Sequence, residues 1–384
     1  MVGDWTSCRL GDVTNLKRGY DLPHTTRSPG PFPVVSSSGI TDHHSEAKVR
    51  GPGVVTGRYG TLGEVFYIES DFWPLNTSLY VQDFRGNDPR FVAYLLRTLN
   101  FHQQNSAGAV PGVNRNHLHE LRVNVPDLPA QRLIADVLSA YDKLIDNNQL
   151  RIRKLESMAR GLYRGWFVHF RFPGHKRQPR VASSIGNIPT GWEVRRVGEC
   201  VYINPRASLP RDGENPFVPM SSLSNDSMLI TDIETRTGNS GAKFQNGDTL
   251  FARITPCLEN GKTGFVQFLP SETTIAFGST EFIVLRSKTL TPEYVYCLAR
   301  SDELRSVAIK SMSGATGRQR VQERCFDDLR IAQPPRSILD QFSAIIAPLF
   351  QLIHELHLQI GNLRQTRDLL VPRLLSGRID LDAA

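Results

Sequence analysis

The chain has 384 residues, 40% apolar and 22% charged, the balance of an ordinary soluble protein long enough for two or three domains with separate cores. Its net charge of +7 hints at a polyanionic partner. Five scattered cysteines (Cys8, Cys200, Cys257, Cys297, Cys325), never spaced C-x-x-C, exclude a disulfide framework and a zinc knuckle and suit a reducing cytoplasm.

The N-terminus, MVGDWTSCRL, carries charge early and lacks an apolar core, so no signal peptide is expected. Trp5 opens "WTSCRLGDV". Val54-Val55, Val65–Ile68 and Leu79–Val81 read as short strands, with "GRYGTLG" as a turn between paired strands. "PRFVAYLLRTL" reads as a helix with proline in its first turn. "GAVPGVNRNHLHELRVNVP" (108–126) follows, and a long helical pattern runs from Ala130 to about Gly165.

The same order then returns. Trp192 opens "WEVRRVGEC", 187 residues after Trp5. "TLFARITPCLENGKTGFVQF" matches "VVTGRYGTLGEVFYI", aligning Arg253 with Arg58 and Gly264 with Gly63. "STEFIVLRSKTLTPEYVYCLARS" matches "NTSLYVQDFRGNDPRFVAYLLRT" at an offset of 203, and the closing helices align at 211. "GATGRQRVQERCFDDLRIAQP" (314–334) stands where "GAVPGVNRNHLHELRVNVP" stood. Five segments repeated in order make the chain a duplicated unit, with the drift in offset absorbed by loops.

Both long helices carry heptads. In the first, Leu138, Ile145, Ile152 and Ala159 form one row, and Ile134, Tyr141, Asn148, Leu155 and Leu162 the other. In the second, Phe342, Leu349, Leu356, Leu363 and Leu370 form one row, and Ile345, Leu352, Gln359, Thr366 and Arg373 the other. Asn148 and Gln359 fall at equivalent seam positions, where a polar residue fixes register at some cost in stability. Ser337 with Asp340 resembles a capping box, and Pro348 predicts a bend. The stretch Phe342–Ile353 is too short and too interrupted to span a bilayer. The heptads favour an intramolecular, antiparallel coiled coil, a ruler between two heads.

No catalytic constellation emerges. Gly261-Lys262-Thr263 lacks the earlier glycine of a phosphate loop, since Pro256 stands there. "QPPR" (333–336) lacks the polar opening and the aromatic of an amino-methyltransferase motif, and "EAK" (46–48) lacks an upstream Pro-Asp. His117-x-His119 has no further metal ligands clustered near it in sequence. What remains is suited to DNA. Asn114, Arg115 and Asn116 in the first copy, and Arg318, Gln319 and Arg320 in the second, carry side chains that grip adenine or guanine bidentately. Arg58 with Tyr59, and Arg253 with Asn260 and Lys262, sit on the hairpin connections. Lys17, Arg18 and Arg206 are candidates for phosphate contacts.

The tandem "W…R(L/V)G(D/E)" openings and the "LR(V/I)"-proline entry into "PAQRLIADVLSAYDKLIDNNQLRIRKLE" carry a resemblance. So does "LDQFSAIIAPLFQLIHELHLQIGNLRQTRDLLVPRLLSGRI". Over nearly its full length the chain resembles the specificity (S) subunit of type I restriction–modification enzymes, departing at Ala130, where a carboxylate is usual, and at Pro348. The resemblance implies an α/β (α+β) fold: two similar mixed α/β target-recognition domains separated by two long helices in an antiparallel coiled coil, with an internal pseudo-twofold repeat. The divisions expected are 1–129 (first recognition domain), 130–170 (central spacer helix), 171–190 (linker), 191–335 (second recognition domain) and 336–384 (C-terminal spacer helix). It implies a non-catalytic, cytoplasmic subunit in which each domain reads half of an asymmetric double-stranded DNA site. The helices would pair and dock two modification subunits through Leu138, Tyr141, Ile145, Asn148, Ile152, Leu155, Leu349, Leu352, Leu356, Gln359, Leu363 and Leu370. S-adenosylmethionine, ATP and Mg would sit on those subunits and on a restriction subunit. The rival readings are a nuclease or methyltransferase, and a helical adaptor that binds protein only.

Overall fold

A computed structural model describes residues 5–99, 101, 112–315 and 317–379. The start of the first loop motif, 108–111, lies outside them. The chain divides into two units, Met1–Asp146 with Gly361–Ala384, and Asn147–Ile360. Each unit takes one mixed α/β body and part of both long helices, so the division runs through the helices and not at their ends.

In the first unit the elements run β1 (Thr6–Arg9), α1 (Leu10–Val13), β2 (Asn15–Arg18), β3 (Phe32–Ser36), β4 (Gly39–His44), β5 (Gly53–Gly57), β6 (Val65–Ile68), β7 (Trp73–Pro74), β8 (Ser78–Asp83), α2 (Pro89–Arg97), α3 (Arg115–His119) and β9 (Arg122–Val125). The long helix α4 (Leu128–Tyr163) begins there. Its sheets are ordered β2-β8-β5-β6 and β4-β3-β7, with β1 paired to β9. Helix α2 starts as its sequence dictates: Asp88 accepts from the N–H groups of Arg90 and Phe91, and Pro89 fills the first position, where no N–H is needed. Its Phe91–Leu96 run buries with Leu10, Leu16, Val54, Leu79, Ile134, Leu138, Leu374 and Leu375 in one core. Gln131, buried at the start of α4, donates to Asn87 Oδ1 (2.8 Å) and the Pro126 carbonyl (2.9 Å) and accepts from Asp88 N–H (2.9 Å). A buried amide so satisfied ties α4 to the domain.

In the second unit a hairpin of β10 (Arg180–Ser183) and β11 (Gly186–Pro189) occupies the segment expected as linker. Then follow β12 (Glu193–Arg196), α5 (Val197–Cys200), β13 (Val201–Ile203), β14 (Glu214–Val218), β15 (Glu234–Thr237), β16 (Ala242–Phe244), β17 (Thr249–Ala252), β18 (Thr263–Phe265), β19 (Ala276–Gly278), β20 (Phe282–Ser287), α6 (Pro292–Ala299), α7 (Asp302–Lys310), α8 (Cys325–Asp328), β21 (Arg330–Gln333) and α9 (Arg336–Leu374). The sheet order β13-β20-β17-β18 reproduces β2-β8-β5-β6 strand for strand, and β12 pairs β21 as β1 pairs β9. The duplication is therefore one of topology.

The long helices pair antiparallel. In the second unit Asn148 Nδ2 donates to Gln359 Oε1 at 3.4 Å, while the rings of Trp166 and Phe342 lie 5.9 Å apart, so rising numbers in α4 meet falling numbers in α9. In the first unit Arg367 donates to Asp142 at 2.6 Å. Burial raises the Asp142 carboxyl's pKa, but the hydroxyl of Tyr94 (2.6 Å) and the Arg367 guanidinium outweigh it and hold the group below its ordinary value. Glu156 goes the other way. Burial pushes it up, although Ser227 Oγ (2.6 Å) and Met228 N–H (2.8 Å) donate to it.

Two expectations for the second helix need correction. The partner row of Phe342 and Leu356 is Ile346, Ile353 and Ile360, all buried, whereas Ile345 is 46% exposed and Gln359 is exposed. Both choices obey the alternation of threes and fours; only the one a residue further on places isoleucine at each of those three steps. Ser337 lies inside α9 and does not cap it, because Asp340 instead pairs with Arg336 at 2.8 Å. The helix runs unbroken through Pro348. As a whole α9 is also long and apolar enough, with mean hydropathy 1.2 over its most apolar window, to cross a membrane by length and composition; the isoleucine row supplies much of that apolarity.

Candidate nucleic-acid interface

In the first unit, the connection after β5 and the turn before α3 meet. Val113 N–H donates to the Arg58 carbonyl at 3.0 Å, and Tyr59 bridges Gly112. A Cβ at Gly112 would lie 2.5 Å from the Tyr59 ring, so only glycine lets that ring settle there. The Arg58 guanidinium stacks over Tyr59 at 4.5 Å and donates to the Asn76 carbonyl at 3.5 Å. Asn76 Nδ2 donates to Asp21, which pairs with Arg18 at 3.3 Å. Lys17 lies 6.0 Å over the Tyr20 ring. Arg18, Arg58 and Tyr59 thus belong to one polar network with Asp21 and Asn76, two residues the sequence reading missed. Their link crosses 55 positions and leaves no local signal.

Asn114, Arg115 and Asn116 are exposed beside that network. Asn114 caps α3, its side-chain oxygen accepting from Asn116 N–H at 3.0 Å, so only its amide NH₂ is free to donate elsewhere. His119 is a support. Its Nε2 accepts from Leu16 N–H at 2.9 Å, and burial lowers its pKa, in keeping with a neutral ring. Among the described residues no three His, Cys, Asp or Glu side chains are grouped to hold a metal.

The second unit builds the same junction with other side chains. Val321 N–H donates to the Arg253 carbonyl at 2.9 Å, and Ile254 bridges Arg320. Arg253 matches Arg58, but Val321 matches Val113. The partners of Asn114–Asn116 are therefore Gln322, Glu323 and Arg324, whereas Arg320 stands opposite Gly112. The two sets lie in corresponding loops but not at corresponding backbone positions, because the stretch from the "Gly-Ala" opening to the junction valine is two residues longer in the second copy. Arg320 is half exposed and held by both oxygens of Glu281 at 2.5–3.0 Å, and its guanidinium keeps the Glu281 carboxyl below its ordinary range. Arg318 and Asn260 are exposed, and Gln319 is half-buried, its N–H donating to Thr255 Oγ1 at 3.1 Å. Arg253 pairs with Glu323 at 3.0 Å, and its Nε is buried without an acceptor among the described residues. It lines, with Arg206 and Lys243, an open cleft of about 580 Å³. Lys243, on β16, was not foreseen.

Lys262 is not a surface reader. Its ammonium donates to the carbonyls of Met220 (3.0 Å), Ser221 (3.5 Å) and Leu223 (2.8 Å), fastening that loop. The helix residues split likewise. Leu138, Ile145, Asn148, Ile152 and Leu356 are buried, and Tyr141, Leu155, Leu349, Leu352, Leu363 and Leu370 are half-buried. The apolar side chains those helices leave most open are others: Leu133, Leu144, Leu150 and Met158 on α4, and Ile345, Leu358 and Leu369 on α9.

The model of the type I restriction modification DNA specificity domain matches residues 3–157. The type I restriction enzyme MjaIX specificity subunit of Methanocaldococcus jannaschii is 24% identical over 80% of this chain and 74% of its own. The HindI specificity subunit of Haemophilus influenzae is 19% identical over 98% of this chain and 100% of its own.

Residues 3–157 match that family's model, and the chain is similar to its specificity subunits along most of its length.

Its fold agrees. The crystal structure of the type I restriction-modification S subunit from M. genitalium matches with a TM-score of 0.62 at 14% identity, over 97% of this chain and 96% of that one. In this chain the two repeated bodies keep their sheets and their loop junctions and exchange the side chains at the tips. Tyr59 over Gly112 stands in one, Ile254 beside Arg320 in the other.

Proposed function

We propose that the chain is the DNA-specificity subunit of a type I restriction–modification complex, each mixed α/β body reading one half of an asymmetric bipartite site. The observation that carries this is the junction built twice on one backbone pattern with different tips. An invariant scaffold with exchanged donors suits two heads that read different bases. The subunit is a recognition component and not an enzyme, and it acts with DNA and with the other subunits of the complex. In this reading two modification subunits dock on the exposed faces of α4 and α9, where Leu144, Leu150, Met158, Leu358 and Leu369 offer apolar anchors, and a restriction subunit joins them. S-adenosylmethionine, ATP and Mg belong to those partners, and the assembly works in the cytoplasm.

The test is to express the chain with its modification partner and sequence the methylated bases. One asymmetric motif split by a fixed spacer is expected, with neither methylation nor cleavage by the purified chain alone. A palindromic or unsplit motif, or catalysis by the lone chain, overturns the reading.

A further inference from the structure

Between Glu156 and Glu193 the chain has no carboxylate at all. Residues 157–192 hold six arginines and lysines, which is +6 of the formal +7. None of this belongs to the reading loops. After α4 the backbone makes one wider helical turn over Arg164–Val168 and a short 3₁₀ turn over His175–Arg177 before the β10–β11 hairpin. Arg164, Arg171, Lys176, Arg177 and Arg180 are all exposed, and none forms an ion pair among the described residues. Elsewhere in this unit the exposed Arg195, Arg236 and Arg320 each pair with a carboxylate close by, which the stretch from 157 to 192 does not contain.

The cations are carried on a rigid base. Trp166, Phe167, Phe172 and Trp192 are buried beneath them, with Phe167 4.6 Å from Tyr294 and 4.8 Å from Phe342, and Phe172 5.3 Å from Trp192. Arg171 N–H donates to the Gly165 carbonyl at 2.7 Å and His175 Nδ1 lies 2.8 Å from the Phe172 carbonyl, which fixes the backbone between them. Arg180 is laid over the Phe170 ring at 5.5 Å and donates to the His169 carbonyl at 3.4 Å. Trp166, Arg171, Phe172, Pro173, Gly174, His175, Lys176 and Arg177 enclose an open concavity of about 580 Å³. Trp166 and Phe172 in its floor are buried, and Arg171, Lys176 and Arg177 stand exposed on its rim beside Pro173 and Gly174. A surface for a protein partner would present exposed aromatic or aliphatic anchors in the concavity. Unpaired cations on an ordered base, with no acid among them, complement a row of phosphates instead.

We propose that residues 164–180 form a second DNA contact, a platform that grips backbone phosphates outside the sequence-reading loops and carries no base preference. It rests on the DNA-specificity reading and adds to it a division of labour. The tips select, and the platform supplies sequence-independent affinity.

The assembled complex tests this by fluorescence anisotropy, over a range of salt, with a duplex bearing its own methylated motif and with a scrambled duplex. Arg171→Gln, Lys176→Gln and Arg177→Gln together should make the slope of log affinity against log salt shallower by about 2.7, at roughly 0.9 per lost phosphate contact. Both duplexes should weaken by the same factor, about tenfold or more at low salt, with the methylated motif unchanged. Lys176→Gln with Arg177→Gln, a milder change at exposed positions, should shift the slope by about 1.8. An unchanged slope, weakening confined to the motif duplex, or loss of subunit assembly in place of DNA affinity overturns the platform. The last outcome would assign the patch to an acidic protein surface. A wild-type complex that binds both duplexes equally sinks the specificity reading itself, so the two failures are distinct.

Discussion

Gly112 and Arg320 occupy one backbone position in two copies of the same junction, and the contrast shows how a loop tip is changed without disturbing its support. Glycine there lets Tyr59 lie flat, whereas arginine projects a guanidinium whose side edge is taken by Glu281. The same scale shows why charge alone misleads. Lys262 and Arg253 were both read from sequence as DNA contacts, yet Lys262 spends its three protons on backbone carbonyls. Lys262→Met keeps the stem and removes those bonds. It should cost about 1.5–3 kcal/mol, the worth of charged hydrogen bonds, in urea unfolding of the chain while leaving the methylated motif as it was. A motif change at undiminished stability would restore Lys262 to the reading set. Sequence shows residue type, and hence what a side chain can donate. It does not show whether carbonyls some forty positions away have already taken the protons.

At the scale of elements, the repeat was legible because each segment carries its own local signal. Proline after a capping Asp or Thr starts α2 and α6, and β-branched runs between turns make the paired strands. The seam of α9 was legible only in part. Heptad spacing admits two partner rows for Phe342, Leu349 and Leu356, and burial selects Ile346, Ile353 and Ile360. Ile353→Ala should therefore destabilise by about 2–5 kcal/mol, the range for truncating a buried isoleucine. Ile345→Ala, a surface change, should stay within about 0.5 kcal/mol. Thermal melts of the two variants compare them directly, and a larger loss at Ile345 would return the seam to the other row.

For the whole molecule, the decisive property is that two bodies of equal topology carry independent tips on their own cores. Under the proposed function, replacing residues 1–129 with the corresponding domain of a related specificity subunit should change one half of the methylated motif and leave the other half intact. Sequencing methylated bases before and after the exchange reads this out, and a change in both halves would show the heads to be coupled. The exchange point falls within the first turn of α4, where Asp127 Oδ1 accepts from Ala130 N–H at 3.2 Å, so Asp127 and Gln131 must be compatible across the join.

Duplication, strand and helix content and the antiparallel long helices were written in the order and periodicity of the chain. Each of these rests on short-range patterns that survive without knowledge of what they pack against. Which loop residue stands opposite which, which isoleucine row is buried, and which cations remain unpaired were decided by the tertiary structure alone. Those outcomes depend on a backbone N–H meeting a carbonyl across a junction, as Val113 meets Arg58 and Val321 meets Arg253. Chain order fixes the supply of donors and acceptors, but only the closed fold determines which of them find each other and which are left facing outward.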